Sequence, residues 1–239
     1  MDRVVVVIPT YNEAENIPLI VPEVLARDAR LAVLIVDDDS PDGTGKIADD
    51  LAARNPGRVH TLRRDGKRGL GPAYRAGLRR AIEFGADAVV MMDADFSHPP
   101  AVLDEMLREI EEHDVVLGSR YLKGITVVNW PIERILISYF ANKYARLVTG
   151  LTISDSTGGF RCIRAGTLER TGFERIRSDG YAFQIELNYR FQKSGARIKE
   201  IPFFFLDRER GESKLSLRIA VEALWIVWWM RLADLLGRL

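Results

Sequence analysis

The chain has 239 residues, 47% of them hydrophobic and 28% charged, the profile of a globular protein with enough chain to bury a sizeable core. Its 34 basic residues balance 34 acidic ones, which argues against a nucleic-acid partner and requires any anion site to be local. The single Cys162 excludes an internal disulfide and suits a reducing compartment.

The first residues, MDRVVVVIPTYNE, have neither the basic start nor the long apolar run of a signal peptide. Short β-branched runs follow one another at 3–9, 31–37, 58–63 and 87–93, with helical patterns near 14–27, 43–55, 70–85 and 99–113 between them. Continuous apolar strands alternating with helices predict an α/β fold with a mostly parallel sheet sandwiched by helices, Rossmann-like. Ligands of such sheets bind beyond the carboxyl ends of the strands. Three of the strand ends are polar: PTYNE, DDDSPDG and DADFSHPP. A fifth strand, 114–120, precedes a helix near 132–149; a helix near 180–194 and a strand at 196–206 come after SDSTGGFRCIR. No linker or low-complexity segment divides the chain, which predicts one catalytic unit over 1–214 and a C-terminal apolar helix over 215–239. Within that tail, ALWIVWWM (223–230) is apolar without a break but is flanked by Arg218, Glu222, Arg231 and Asp234. It is too short and too charged to cross a bilayer. Its three tryptophans fit a helix lying at a membrane surface, or one packed on the domain or a partner.

Asp93 and Asp95 stand one residue apart after a buried strand. Two carboxylates so close raise each other's pKa unless a cation neutralises them. Mg²⁺ or Mn²⁺ would do so through oxygen ligands, keeping waters and substrate phosphates in its shell. In IVDDDSPDGT, Ser40 or Asp42 is expected to cap the next helix, and an aspartate could accept from the N–H edge of a nucleobase. The run RRDGKRGLGPAYRAG resembles a phosphate cradle without the Walker pattern. Cations that could serve phosphates are Arg120 at the end of the fifth strand, Arg134 at a helix start, and Arg208 and Lys214 in DRERGESK, with Arg210 read as solvated. No Ser-His-Asp order appears. His60 and His113 read as structural, and His98 as a residue of a helix N-terminus.

Taken in order, IPTYNEAENI, VDDDSPDGT, GLGPAYRAG, MDADFSHPP, GSRY, SDSTGGFR, GYAFQIEL and DRERGESKL resemble glycosyltransferases of family 2 with the GT-A fold. GYAFQIE and DRxxGxSK resemble the polyprenyl-phosphate mannosyltransferase (dolichol-phosphate mannose synthase) subgroup. The resemblance covers about residues 4–216. It implies an inverting transfer of mannose from GDP-mannose to a polyprenyl or dolichyl phosphate. Pro9, Tyr11, Glu13, Val36 and Asp38 would line the nucleotide pocket, and Asp93, Ala94 and Asp95 would meet the diphosphate. The metal would rest on Asp93 and Asp95, with Ser97 or a water as a third ligand. Arg120, Arg134, Arg208 and Lys214 would hold the phosphates of donor and acceptor, Ser138 joining Arg120 and Arg134 at the acceptor. Gln184 and Glu186 would lie near the sugar. The resemblance further implies an enzyme peripheral to the cytoplasmic face of a membrane, alone or with small membrane subunits. Two alternatives stay open: a UDP-glucose or other UDP-sugar transferase, and a non-catalytic nucleotide-sugar-binding module.

Overall fold

The β-branched runs at the start of the chain become strands because helices cover both of their faces. The computed structural model describes residues 1–66, 69–176, 178–206 and 217–236, and of 217–224 only the backbone. Its elements in chain order are β1 (Val4–Thr10), α1 (Ile17–Arg27), β2 (Leu31–Asp37), α2 (Thr44–Arg54), β3 (Val59–Arg63), α3 (Leu70–Glu83), β4 (Ala88–Met91), α4 (Leu103–Glu109), β5 (Val115–Ser119), β6 (Val127–Val128), α5 (Ile132–Thr149), β7 (Arg161–Arg164), α6 (Ala165–Thr171), α7 (Gly180–Lys193), β8 (Ile198–Pro202), β9 (Phe205–Leu206) and α8 (Leu217–Leu235).

A seven-stranded sheet runs β3-β2-β1-β4-β7-β5-β8. All its neighbours pair parallel except β7, which is antiparallel to both β4 and β5. β6 and β9 form a separate parallel pair. Alternate residues of each strand point to opposite faces. Val5, Val7, Leu34 and Val36 therefore join the α3 and α7 side of the core, and Val4, Val6, Ile8 and Ile35 the α1 and α4 side.

Three departures from the sequence expectation have local causes. RCIR is a strand of four residues with arginines at both ends, too short and too charged to register as one, yet it fills the gap between β4 and β5. The expected strand 196–206 breaks after Pro202, and its end pairs with β6 in the second sheet. The helix expected from residue 99 starts as a 3-10 turn at Pro100–Val102, and its α-helical part is Leu103–Glu109; two successive prolines have no N–H to give and the first constrains its predecessor. Cys162 is fully buried in β7, and burial pushes its thiol up to about 12, leaving it unreactive. α8 packs against α5 and α7. Val227 and Met230 enter the core, and Asp234 accepts from Tyr189 Oη at 2.8 Å and pairs with Lys193 at 2.6 Å. Trp225, Trp228 and Trp229 face outward. Among the described residues, no helix is long and apolar enough to cross a membrane.

Helix α3 meets the sheet at Gly77, where an added Cβ would collide with Val7 Cγ1 and lie 2.9 Å from Val36 Cγ2. Overpacking costs about 1–3 kcal/mol, against a helix-propensity gain of up to about 1 kcal/mol for Gly to Ala. Gly77→Ala is therefore expected to lower the urea midpoint; an unchanged or raised midpoint would contradict so close a contact.

Candidate active site

A cavity of about 440 Å³ opens beyond the carboxyl ends of β1, β2, β4 and β5. Of the residues singled out by sequence, Pro9, Tyr11, Glu13, Asp38, Asp93, Ala94, Asp95, Arg120, Arg134 and Gln184 line it. Val36 does not: it is fully buried inside β2, paired with Pro9, on the face that α3 covers. Ser138 Oγ accepts from Tyr121 Oη at 2.7 Å, and Glu186 is buried against Arg190 and Ser178. Gln184 and Glu186 are two apart on α7, so one facing the cavity turns the other aside. Arg208, Arg210 and Lys214, like Lys67 and Arg68 of the glycine-rich run, lie outside the described residues.

The four non-glycine residues with positive φ among the described residues are Asn12, Asp39, Phe96 and Asn129. Each sits in a loop beside the cavity, after β1, β2 and β4 and directly before α5. A backbone held this way costs about 1–3 kcal/mol when the residue is bulky and tends to gather at functional sites. At Phe96 the turn folds DADFSH back on itself. His98 Nδ1 then accepts the Asp93 N–H at 3.0 Å, which puts the ring's own proton on Nε2. The imidazole stacks on Phe160 with centroids 4.7 Å apart and meets Phe203 and Phe205 edge-on. His98 precedes the 3-10 turn rather than belonging to a helix. It braces the acid pair.

Each carboxylate is held separately. Asp93 Oδ1 accepts from Tyr74 Oη at 3.0 Å; burial, then the Asp93 charge, raise the Tyr74 pKa well above its ordinary value, so the phenol stays a donor. Asp95 Oδ1 accepts from Ser97 Oγ at 2.6 Å and Ser97 N at 3.1 Å. That bond turns Ser97, which is almost fully buried, toward Asp95 and not toward the cavity. The bond holds Ser97 Oγ on Asp95 and orients that carboxylate. No cluster of three or more His, Cys, Asp or Glu suited to a metal occurs among the described residues. Mg²⁺ and Mn²⁺ do not need one, since one or two carboxylates completed by waters and substrate phosphates suffice. Two pre-oriented carboxylates facing one cavity fit such an ion.

On the β1–β2 side the loops are tied together through their polar groups. Asp37 Oδ1 accepts from Thr10 Oγ1 at 3.1 Å and Ser40 Oγ at 2.5 Å. Ser40 and Thr44 in turn accept from Asn12 N and Glu13 N, and Asp42 Oδ2 from Ala14 N. Ser40 therefore staples two loops; Asp42 alone serves the helix, binding Thr44 N at 3.0 Å from the position before the cap residue Gly43. Burial would raise the Asp42 carboxyl, but the Thr44 and backbone donors outweigh it and hold it below the usual range. Asp38 pairs with Arg64 at 2.8 Å and faces the cavity.

On the β5 side a buried ion pair dominates. Arg120, 4% exposed, gives Nε and Nη2 to Asp155 at 2.7 and 2.8 Å, and Nη2 also reaches Thr157 Oγ1 at 2.8 Å. Burial works against both charges, yet each partner outweighs it: the Arg120 pKa is raised and the Asp155 pKa lowered. The pair occupies Nε and Nη2 of a residue that lines the cavity. Asp155 also accepts from Gly158 N at 2.9 Å, Asn142 of α5 holds Ser156 N at 2.7 Å, and Asn188 of α7 donates to Ser156 O at 3.0 Å. This network fixes the segment 155–159, of which Thr157, Gly158 and Gly159 line the cavity. Sequence reasoning passed over Asp155 inside SDSTGGFR because nothing local announces its partner, 35 residues away. Asp179 was equally missed. It caps α7 through Gly180 N at 2.7 Å and also accepts from Gly71 N at 2.6 Å, and an Asp-Gly directly before a helical pattern is a readable N-cap signal. A Cβ on Gly69 would collide with the Asp179 carboxylate, which accounts for that glycine.

Residues 5–172 match the model of glycosyl transferase family 2. The chain is 46% identical over 221 residues to the undecaprenyl-phosphate mannosyltransferase of Micrococcus luteus, covering 92% of this chain and 90% of that protein. It is 44% identical over 232 residues to the polyprenol monophosphomannose synthase of Mycolicibacterium smegmatis, covering 96% and 88%. Among solved structures it is similar to glucosyl-3-phosphoglycerate synthase from Mycobacterium tuberculosis in complex with Mn²⁺, UDP and glucosyl-3-phosphoglycerate, with TM-score 0.62, 16% identity and coverage of 99% and 80%. The same enzyme with phosphoglyceric acid gives TM-score 0.67 over 96% and 80%. At that identity the likeness concerns the fold.

Removing Asp155 strands the Arg120 charge in the interior, so Asp155→Ala is expected to lower stability at pH 7 by about 3–5 kcal/mol in urea unfolding. Because the Asp155 carboxyl is depressed in the folded state, its contribution is complete above about pH 4 and is lost as the pH falls further. The difference between parent and variant should therefore shrink at pH 3. A difference that stays constant from pH 7 to pH 3 would contradict the pair.

Proposed function

The chain belongs to glycosyltransferase family 2, and on that footing we propose that it transfers mannose from GDP-mannose to a polyprenyl phosphate, giving a polyprenyl β-mannosyl phosphate. The observation that carries this reading is the order of chemistry across the sheet. The polar pocket of Tyr11, Glu13 and Asp38 lies over β1 and β2, the paired acids follow β4, and the cations Arg120 and Arg134 stand on the β5 side. A nucleoside, its diphosphate and an anionic acceptor fit that order from one side to the other. The names of the two relatives support mannose and a polyprenyl phosphate as donor sugar and acceptor.

A phosphate monoester ionises a second time near pKa 6, so the acceptor is already a nucleophile at neutral pH. The residues agree with that economy. His98 spends its Nδ1 lone pair on the Asp93 N–H and is no base. What the chain must supply is positive charge, to let two phosphorylated substrates approach. Arg120 and Arg134 do this at the cavity, and Arg208 and Lys214 are assigned to the same task. Asp93 and Asp95 would hold Mg²⁺ or Mn²⁺, which when bound supplies Lewis-acid neutralisation of the departing diphosphate. Attack from the face opposite the diphosphate inverts the anomeric carbon.

A polyprenyl tail remains in the bilayer, so the Arg134 end should meet the membrane. Exposed apolar side chains on two helices packed together support that placement: Ile132, Leu136, Ile137 and Phe140 on α5, and Trp225, Trp228, Trp229 and Leu232 on α8. Tryptophan suits such an interface, with an apolar body and a polar N–H. The reading makes the protein peripheral to the cytoplasmic face, alone or with small membrane subunits.

Radiolabelled GDP-mannose with added polyprenyl phosphate is expected to yield a chloroform-soluble product, and UDP-glucose is not. EDTA should abolish the product and Mg²⁺ or Mn²⁺ restore it, while Asp95→Ala should lower the rate at least about a hundredfold. Product from UDP-glucose alone, or an active Asp95→Ala, would refute the donor or the metal respectively. Replacing Trp225, Trp228 and Trp229 by Ala is expected to reduce co-sedimentation with liposomes; undiminished binding would remove α8 from the membrane contact.

A further inference from the structure

Buried polar groups in folded proteins nearly always have partners, so an exception beside a cavity marks a place for a ligand atom. Among the described residues, Nε1 of Trp130 is such an exception: the side chain is 8% exposed, it lines the cavity, and its N–H meets no acceptor. The residue is held firmly. Asn129 before it has φ 64°, and Pro131 after it opens α5 as the cap residue.

The indole is also a platform. The Arg134 guanidinium carbon lies 3.9 Å from the ring centroid and that of Arg120 lies 5.8 Å away, while Phe205 meets the ring edge-on at 5.3 Å. A guanidinium over an aromatic face at such distances is attracted by the ring's quadrupole and loses freedom. The indole N–H can only donate, and so can both arginines. Three donor-only groups at one end of a cavity make a receptor for an oxyanion. Because β7 separates β5 from β4, this end lies across the acid pair from Tyr11 and Asp38.

We propose that Trp130 is a binding and positioning residue for the phosphate monoester of the acceptor: its ring sets the Arg134 guanidinium, and its Nε1–H donates to a phosphate oxygen. The proposal rests on the transfer reaction above and adds to it a residue that recognises the acceptor. A tryptophan present only for packing would tolerate Phe, which keeps the aromatic face and loses the donor.

The test uses the full chain with farnesyl phosphate as acceptor. Trp130→Phe is expected to raise the KM for farnesyl phosphate about tenfold or more, the loss of one hydrogen bond to a charged group, and to leave the KM for the nucleotide sugar unchanged. Trp130→Leu, which also removes the platform, should raise it further and lower kcat. A second measurement leaves Trp130 intact. With Trp225, Trp228 and Trp229 changed to Phe, Trp130 is the only tryptophan of the four, and farnesyl phosphate without any donor should shift its emission, whereas GDP with Mg²⁺ should not. A parental acceptor KM in Trp130→Phe overturns the N–H contact. A shift with GDP and Mg²⁺ alone assigns the anion to the donor and overturns the acceptor assignment. Because the fluorescence arm needs no turnover, a shift in a parent chain that transfers no sugar refutes the reaction while supporting the phosphate site.

Discussion

The buried pair of Arg120 and Asp155 is the constraint on which the site depends. An arginine with 4% exposure is tolerable only with a carboxylate beside it and the remaining polar edges occupied. Asp155 meets that demand with the N–H groups of its own loop and with Asn142 at its border. The same bonds place α5, α7 and the segment 155–159 relative to β5. Arg134, Thr157 and Gln184 reach the cavity because of them. The pair and Thr157 also occupy Nε and Nη2 of Arg120, so its charge would act on a ligand mainly as field.

The acid pair follows a different logic. Asp93 and Asp95 face one cavity, and neither hangs from a floppy loop. Tyr74, His98 and Ser97 each take one polar edge of the DADFSH turn, and Phe96 holds the positive φ that closes it. Fixing the carboxylates before a metal binds keeps the ordering cost out of the binding step. The cations Arg120 and Arg134 stand on one side of the acid pair and the pocket of Tyr11, Glu13 and Asp38 on the other, an order of charges that would suit bringing a diphosphate and a monophosphate to one carbon.

Much of this was legible in the sequence, for reasons that differ by element. Continuous apolar runs betray strands buried on both faces, so β1, β2 and β4 and the polar loops at their ends were readable, and with them Asp93, Asp95, Tyr11 and Asp38. Residues whose role comes from a distant partner were not. Asp155 reads as one polar residue among several in a loop until Arg120 is seen across the sheet, and Tyr74 as core until its hydroxyl meets Asp93. Trp130 gave no periodic signal at all. The resemblance set Val36 in the nucleotide pocket, yet strand alternation sends its side chain under α3. On α7 the helical turn of about 100° per residue sets Gln184 and Glu186 on different faces.

The central claim is that Asp93 and Asp95 together bind one divalent cation at the meeting point of two phosphorylated substrates. Electron paramagnetic resonance of free Mn²⁺ measures this without turnover. With GDP present, the parent chain is expected to remove one Mn²⁺ per chain from the free signal, and the chain carrying Asp93→Asn and Asp95→Asn to remove none. Equal depletion by both would place the metal elsewhere and contradict the account.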